Sequence, residues 1–436
     1  MIRYLKKTLD NTNYQEILSK GLSFMLLRLL GAFIGYSFIL YITNTYGSDV
    51  YGLVAICFSM FMIISVFGRL GLDTNIVRFF SSEKNDDETM LFFRSIFKSI
   101  IVSSLFALLI YYFREQLVLK IYQNPKPKLV LYLPWVLAAI PLWNIAMICA
   151  SYLRAKKMTR LFAFLENPSR FLFSFIFLIA FFLISDNPKI IVKAHFFGVL
   201  ITALISVIFV LRKIKKLSFH STVNSWKFTK QALPMLFSSA MLILLGLVDT
   251  QIMGVFESGS DIGIYNVSLK IAALTGLSLQ AVNSILAPKI AKSYVENNNE
   301  YIEVIKFSTK LIFLMSTCIV TVIFLCRKFL LGLFGEIFIE GETILIIFCV
   351  GQIINSLSGS VGVILQMIGK QKVYQNFVLV ALVINVVLTF ILTPSYGGVG
   401  AAVSTVISMA FWNVGSAIYL KQKMNITSYY VPKFKL

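Results

Sequence analysis

The chain has 436 residues, of which 58% are hydrophobic, and its mean hydropathy is +0.80. A soluble domain has about 45–50% apolar residues, so the composition excludes an ordinary soluble protein. The net charge of +20 is compatible with nucleic acid as a partner, but membrane topology explains it better, and we expect no nucleic-acid partner.

Long apolar runs, separated by short charged segments, recur along the whole chain. About 20 helical residues cross a hydrocarbon core of about 30 Å. The sequence therefore predicts an all-α polytopic membrane protein with about twelve transmembrane helices. The predicted spans lie near 22–42, 50–67, 91–113, 129–151, 170–185, 194–211, 233–256, 263–285, 307–326, 342–365, 375–393 and 398–420.

The lysines and arginines of the loops predict the orientation of these spans. With the N-terminus in the cytoplasm, 30 of them fall on the cytoplasmic side and 8 on the opposite side. Cytoplasmic loops are enriched in these residues. We therefore expect an even number of spans and both termini in the cytoplasm.

Three pairs of similar segments repeat at a spacing of about 211 to 215 residues, for example "GSDVYGLVAI" (47–56) and "GSDIGIYNVSL" (259–269). Transporters are often built from such repeats. The repeats predict two pseudo-symmetric six-helix lobes in the same orientation. The predicted organisation is an amphipathic cytoplasmic segment (1–20), an N-lobe (21–211), a basic cytoplasmic linker (212–232) that forms an amphipathic surface helix, a C-lobe (233–420) and a cytoplasmic tail (421–436).

Of the ionisable residues within predicted spans, we single out three: Arg28, Asp249 and Lys270. An arginine near the bilayer centre costs about 2.5–3.5 kcal/mol on insertion scales. Arg28 shares a helix face with Gly31 and Gly35, a small-xxx-small pair suited to close packing. It either snorkels or pairs with Asp249 for structure, or faces a wet cavity and binds an anion. Two cations against one anion favour a phosphate-bearing substrate.

Polar side chains recur at helical spacing in the eighth and tenth spans. Such stripes are typical of a cavity wall, although amides also hold helices together. The stripes are Asn266, Lys270, Ala273, Leu277, Gln280 and Ser284 in the eighth span, and Gln352, Asn355, Gly359, Gly362 and Gln366 in the tenth. The candidate substrate-binding residues are Arg28, Lys270, Gln280, Gln352 and Asn355.

Asp249 follows the apolar part of "MLILLGLVDTQIMGVF". It forms either a structural salt bridge or a site for a coupling cation, Na⁺ or H⁺. The candidate oxygen partners are Asn385 and Thr389 in the eleventh span and Thr405 in the twelfth, because hard cations prefer oxygen ligands.

Nothing in the sequence indicates catalysis, a metal site or a cofactor other than a coupling ion. There is no phosphate-binding loop and no pair of acids in a large outer loop. The five cysteines lie in apolar runs without metal-type spacing and are predicted to be small core residues. We therefore do not expect an enzyme.

At "GLDTNIVRFFS" (71–81) the sequence resembles the Wzx-type polysaccharide (O-antigen repeat unit) flippases of the multidrug/oligosaccharidyl-lipid/polysaccharide exporter superfamily. The resemblance continues in order over nearly the whole chain, and it is closer to polysaccharide flippases than to drug exporters. Its further segments are "DTQIMGVFESGSDIGIYNVSLKIAAL" (249–274), "LAPKIAKSY" (286–294), "MIGKQKVY" (367–374) and "YGGVGAAVSTVIS" (396–408).

The resemblance implies a V-shaped, MATE-like bundle that works by alternating access. It implies transport of an undecaprenyl-pyrophosphate-linked oligosaccharide across the bacterial cytoplasmic (inner) membrane, for O-antigen, lipopolysaccharide or capsule biosynthesis. The implied partners are this lipid, the bilayer, and the polymerase and chain-length components of the pathway.

The resemblance also implies roles for particular residues. Related lipid II flippases bind pyrophosphate with cavity arginines, and Arg28 matches one by position, whereas Lys270 matches less strictly. Some relatives bind Na⁺ at a seventh-span aspartate, which Asp249 matches, but Thr389 stands where a second acid can occur. Asp73 and Arg78 are candidates for a cytoplasmic gate.

Two rival functions remain at this stage. A cation-coupled multidrug (MATE-type) antiporter would export cationic dyes. A membrane enzyme of glycan assembly would form bonds in purified form.

Overall fold

The computed structural model describes residues 12–82, 88–122, 124, 126–214, 218, 221–296 and 300–430. Over these residues every regular element is helical. The predictions for residues 1–11, for 215–217 and 219–220 of the linker, and for 431–436 of the tail lie outside the described residues.

The helices follow one another with short connections. The first half contains α1 (Thr12–Gly68), α2 (Leu72–Phe80), α3 (Thr89–Gln116, extended by a π-helical turn at Leu117–Ile121), α4 (Pro127–Ala155), α5 (Thr159–Glu166), α6 (Pro168–Phe182) and α7 (Lys189–Lys213). The second half contains α8 (Ser225–Phe256), α9 (Gly259–Ala273), α10 (Gly276–Val295), α11 (Glu300–Leu325), α12 (Arg327–Gly332), a 3₁₀ turn (Glu336–Gly341), α13 (Glu342–Ser358), α14 (Val361–Met367) and α15 (Gln371–Met424).

The described helices account for all twelve predicted spans. Eight are long and apolar enough to cross a membrane, or ten if the bent pairs α5–α6 and α9–α10 each count as one span. Among the eight, α1 and α15 each hold two predicted spans, because each is broken by a glycine with positive φ: Gly47 (80°) and Gly397 (55°). Glycine adopts such angles without steric penalty. The predicted all-α polytopic fold is confirmed.

Internal contacts divide the chain into two compact units. Unit 1 comprises Met1–Ile42, Met60–Lys120 and Pro127–Ala240, and unit 2 comprises Thr43–Ser59, Ile121–Lys126 and Met241–Leu436. Two short segments from the first half of the chain thus belong to unit 2. The predicted lobes, 21–211 and 233–420, stay a prediction.

Unit 1 is organised around α4, which packs against α2, α3, α5 and α7. The most apolar stretch of α4 is 78% buried, whereas that of α3 is only 17% buried. Phe80, Phe92 and Tyr152 join α2, α3 and α4 through ring contacts of 4.8 to 6.2 Å. Such aromatic pairs add stability beyond their buried area. The core of unit 1 therefore surrounds α4, and α3 lies at its outside.

Unit 2 is organised around α13, which packs against α9, α11 and α15. A buried apolar cluster joins α10, α11 and α14 to the end of α15. It consists of Leu286, Ile290, Ile305, Val361, Ile364, Leu365, Ile368, Ala417, Leu420 and Ile426.

The two "GSD" repeats contact each other within unit 2. The Ser48 and Ser260 hydroxyl oxygens, at equivalent positions of the repeats, lie 2.7 Å apart. A Cβ added to Gly52 would overlap the carbonyl of Gly259 and lie 2.9 Å from the amide nitrogen of Gly263. This backbone-to-backbone contact explains why the segment Thr43–Ser59 belongs to unit 2.

Lys126, in the connection before α4, attaches the second short segment to unit 2. Its side chain is only 6% exposed, and Nζ donates hydrogen bonds of 2.9 Å to the carbonyls of Asn124 and Gly254. Burial lowers the pKa of Lys126 to about 8, although the nearby carboxylates of Asp49 and Glu257 oppose this shift.

Two sequence predictions about local structure were wrong. The linker does not form a separate surface helix in its second half, because α8 begins at Ser225 and runs into the seventh span. Asn224 starts that helix by accepting hydrogen bonds from the amides of Trp226 and Lys227. Cys318 and Cys326 are exposed rather than buried in the core. Cys318 lies in α11, which is one of the less buried helices, and Cys326 follows directly after that helix.

Gly52→Ala should destabilise the protein by about 1–3 kcal/mol, because the added methyl group meets backbone that cannot move aside as a side chain would. Gly246→Ala in α8 is the matched control, since its Cβ meets nothing within 4 Å, and it should gain about 0.5–1 kcal/mol of helix stability. Thermal unfolding of both variants in detergent measures the difference. Equal unfolding temperatures would contradict the close contact.

The stability of the wild type relative to Lys126→Met should rise between pH 8 and 10. The pKa of Lys126 is lowered from 10.5 to about 8 in the folded state, so the unfolded state binds more protons in this interval. Methionine carries no titrating group, so the variant lacks this contribution. A pH series of unfolding temperatures measures it, and parallel curves would argue against burial of the ammonium group.

Candidate functional site

A buried carboxylate held by hydroxyl groups lies in unit 2. Asp249, in α8, is 3% exposed. Thr389 donates to its Oδ1 at 2.9 Å, and Thr405 donates to its Oδ2 at 2.7 Å. Tyr265, in α9, donates to Oδ2 at 3.2 Å. The predicted partners from the eleventh and twelfth spans therefore do converge on Asp249.

Asn385 is fully buried one turn before Thr389, and its side chain faces the same carboxylate. Neither polar atom of its amide has a hydrogen-bond partner of normal geometry in the described part of the chain. Buried polar groups are almost always satisfied by protein, water or an ion. The amide of Asn385 is therefore a further polar group beside the Asp249 carboxylate.

Among the described residues of unit 2, none forms an ion pair with Asp249, so the structure shows no salt bridge to it within this unit. The described residues also contain no group of three or more His, Cys, Asp or Glu side chains that could together hold a metal ion. The site instead offers one carboxylate with hydroxyl and amide oxygens. This set fits a monovalent hard cation, and a lone carboxylate can equally carry a proton.

Tyr265 completes this site but was missed at the level of sequence. Its ring is fully buried and packs edge-on against Phe348, with centroids 5.4 Å apart. A buried tyrosine hydroxyl needs a polar partner. The sequence did contain an indication of this contact, because the "GIYN" element places Tyr265 in α9, the helix that directly follows the helix of Asp249.

Arg28 lies in unit 1, and its acidic partner is Glu166 at the end of α5. The distance between Arg28 Nη2 and Glu166 Oε2 is 4.0 Å, and the side chains are 40% and 34% exposed. The alternative pairing of Arg28 with Asp249, which belongs to the other unit, stays a prediction. Glu166 was missed because it precedes the fifth predicted span, and its signal was an acid just before the helix break in "LENPSR".

Gly31 and Gly35 bring α1 against the junction of α5 and α6. A Cβ at Gly31 would lie 3.1 Å from the nitrogen of Pro168, and one at Gly35 would lie 3.5 Å from the ring of Phe171. The small-xxx-small pair thus packs helices as predicted. Arg28 is one turn before Gly31, so this packing directs its side chain towards Glu166.

Arg170, the first residue of the fifth predicted span, lies in α6. Its guanidinium group is 5.7, 5.2 and 4.5 Å from the ring centroids of Phe61, Trp143 and Phe171. It donates to the Met62 sulfur at 3.1 Å. Aromatic faces attract cations, so these rings position a second cation in the helices of unit 1.

Lys270 and Gln280 do not lie on one straight helix. Lys270 is exposed in the last turn of α9, and Gln280 is exposed in α10. The two helices meet at an angle of 41°, so the continuous stripe predicted for the eighth span was wrong.

Gln352 and Asn355 are half-buried in α13. The rest of their stripe is interrupted at Gly359, which has a φ of 73° and whose added Cβ would overlap Thr309. A Cβ on Gly362 would lie 2.9 Å from the ring of Tyr374. These two glycines serve helix packing, and the continuous stripe predicted for the tenth span was also wrong.

The gate candidates Asp73 and Arg78 lie at opposite ends of α2. The carboxylate of Asp73 is 3.3 Å from Nε of Arg69, and Arg78 is exposed in the last turn. Both charges are placed favourably for the helix dipole. Their role in a gate stays a prediction.

The helix arrangement defines an all-α polytopic membrane transporter fold. The model of the polysaccharide biosynthesis protein family matches residues 17–294, which is more than half of the chain, and the chain belongs to that family. The MatE family model matches residues 234–391.

Two curated relatives match part of the chain. The probable low-salt glycan biosynthesis flippase Agl15 of Haloferax volcanii is 28% identical over 219 residues, which are 50% of this chain and 46% of that protein. The capsular polysaccharide biosynthesis protein CapF of Staphylococcus aureus is 26% identical over 205 residues, which are 45% of this chain and 51% of that protein. The matches thus span about half the length of each relative.

Solved structures share the fold. The lipid II flippase MurJ in an inward closed conformation has a TM-score of 0.75 at 16% identity, over 93% of this chain and 88% of that chain. An inward-facing MATE multidrug resistance transporter has a TM-score of 0.72 at 16% identity, over 93% and 95%. With the family match and the curated relatives, these structures confirm the resemblance to polysaccharide flippases of the exporter superfamily.

Thr389→Val should destabilise the protein by about 1–3 kcal/mol, because it removes a donor to the buried Asp249 carboxylate. Thr393→Val is the matched control, one turn further along α15, since the buried hydroxyl of Thr393 has no described partner. Thermal unfolding in detergent should separate the two variants. If both variants unfold at the temperature of the wild type, the Thr389 hydroxyl group does not stabilise the Asp249 carboxylate.

Proposed function

We propose that the protein is a flippase that moves an undecaprenyl-pyrophosphate-linked oligosaccharide repeat unit across the cytoplasmic membrane by alternating access, for O-antigen or capsule biosynthesis. Family membership supports a role in polysaccharide biosynthesis. The names of Agl15, a glycan biosynthesis flippase, and of CapF, a capsular polysaccharide biosynthesis protein, support a glycan as the cargo.

The cations in the helices of unit 1 are the observation that carries this proposal. Arg28 and Arg170 lie in apolar helices, and Glu166 is the partner of only one of them. Charged side chains in membrane helices are expensive and mark substrate pathways. A guanidinium group can bind two phosphate oxygens at once. A pyrophosphate headgroup would therefore account for the net positive charge of Arg28, Arg170 and Glu166.

In unit 2 we propose that Asp249, with Asn385, Thr389 and Thr405, binds the coupling ion. Thr389 replaces the second acid that some relatives carry, so the site holds a single negative charge. One Na⁺ or one proton neutralises it. Lys270, Gln280, Gln352 and Asn355 stay predicted substrate-binding residues of this unit.

Transport of this kind breaks and forms no bonds in the substrate, so we propose that the protein is not an enzyme. The loop charges support cytoplasmic termini in a bacterial inner membrane. The polymerase and chain-length components of the same pathway are the proposed protein partners.

A cation-coupled multidrug antiporter is the second candidate. It is favoured by the MatE match over residues 234–391 and by the likeness to MATE transporters. Export of cationic dyes by the wild type would favour it, whereas the arginines of unit 1 repel such cargo.

Arg28→Ala should block transport and cause an undecaprenyl-pyrophosphate-linked oligosaccharide to accumulate, because the headgroup loses its guanidinium partner. Lipid extraction and mass spectrometry of cells depleted of the wild type and expressing the variant measure this accumulation, with surface glycan as a second readout. Arg160→Ala, an exposed arginine in α5, is the matched control and should restore the normal lipid pool. Full rescue by Arg28→Ala at equal membrane abundance would refute the assignment.

A further inference from the structure

The contact between Arg28 and Glu166 is unusually loose for a pair of charges in apolar helices. The closest charged atoms are 4.0 Å apart, whereas charge-assisted hydrogen bonds between such groups are about 2.7–2.9 Å long. Oε2 of Glu166, although buried as an atom, accepts no hydrogen bond in the described part of the chain. The carboxylate is therefore near Arg28 without engaging its donors in full.

The position of Glu166 is fixed by the fold. It is the last residue of α5, just before Asn167 and the start of α6 at Pro168, where the helix axis bends by 47°. Gly31 allows α1 to approach this bend closely. Glu166 thus faces the turn of α1 that carries Arg28, and its backbone is held in place by the packed helix junction, whereas its partly exposed side chain can rotate.

The pair is easy to separate by a competing anion. Both side chains are more than a third exposed, and exposed ion pairs contribute little to stability. Pyrophosphate offers more negative charge than a carboxylate, with oxygens spaced for bidentate contact with a guanidinium group. Arg170 has no carboxylate partner among the described residues. Glu166 therefore does not neutralise both Arg28 and Arg170.

From this geometry, and resting on the proposed function, we propose that Glu166 is an internal counter-ion. It holds Arg28 in the substrate-free protein, gives way when the phosphate of the lipid headgroup binds, and takes Arg28 back when the lipid leaves. Glu166 is a positioning residue in this scheme, since it acts on the substrate only through Arg28. Affinity and turnover should therefore respond to it in opposite directions.

The test measures binding of undecaprenyl pyrophosphate to the purified full-length protein in detergent. Glu166→Gln keeps the size of the side chain and removes its charge, so it should tighten binding about two- to fivefold and slow transport in cells. Glu166→Asp should restore wild-type behaviour. Glu115→Gln, an exposed acid of α3 paired with Arg114, is the matched control and should change neither quantity.

Two further experiments identify which protein group and which part of the lipid account for the change in affinity. In an Arg28→Ala background, Glu166→Gln should have no effect on affinity, because the group that it holds is gone. Inorganic pyrophosphate should show the same dependence on Glu166 if the phosphates are recognised alone, and undecaprenol should show none.

The outcomes separate this inference from the proposed function. If the wild type binds and Arg28→Ala weakens binding, but Glu166→Gln leaves affinity unchanged or lowers it, the counter-ion role is overturned and the flippase proposal survives. If the wild type does not bind undecaprenyl pyrophosphate, both are overturned. Tighter binding by Glu166→Gln that depends on Arg28 supports both.

Discussion

Charged side chains within apolar helices need local compensation, and this constraint organises both units of the protein. Asp249 receives hydrogen bonds from three hydroxyl groups on α9 and α15. Arg28 faces Glu166 across a helix junction, and Arg170 lies against aromatic rings and a thioether. Each solution uses groups from different helices, so the placement of charge depends on how the helices pack.

That packing depends in turn on a few glycines. Gly31 and Gly35 allow α1 to approach the α5–α6 junction, and Gly52 allows the first "GSD" repeat to cross the second at backbone distance. Small residues drive helix association in membranes because lipid provides little hydrophobic force between helices. Gly31 and Gly35 therefore also place Arg28 of α1 beside Glu166 of α5.

The pattern of the sequence predicted the helices far better than their breaks. All twelve predicted spans correspond to described helical segments, because hydrophobic length is a property of consecutive residues. The continuous polar stripes predicted through Lys270 and Asn355 were wrong. The bend after Ala273 interrupts the first helix, and the positive φ of Gly359 interrupts the second. Thr389 and Thr405 were named as partners of Asp249 because hard cations prefer oxygen ligands, but no spacing in the sequence indicated that they converge on it.

The sequence by itself determined the all-α polytopic class of the protein, the apolar runs that form its helices and the presence of costly charges within them, since these follow from composition and run length. The sequence could not determine which side chains contact each of these charged groups. Glu166 is 138 positions from Arg28, and Tyr265 reaches Asp249 from the next helix. Only tertiary structure decides such pairs, because they depend on helix bends and close glycine contacts that bring distant residues to one place.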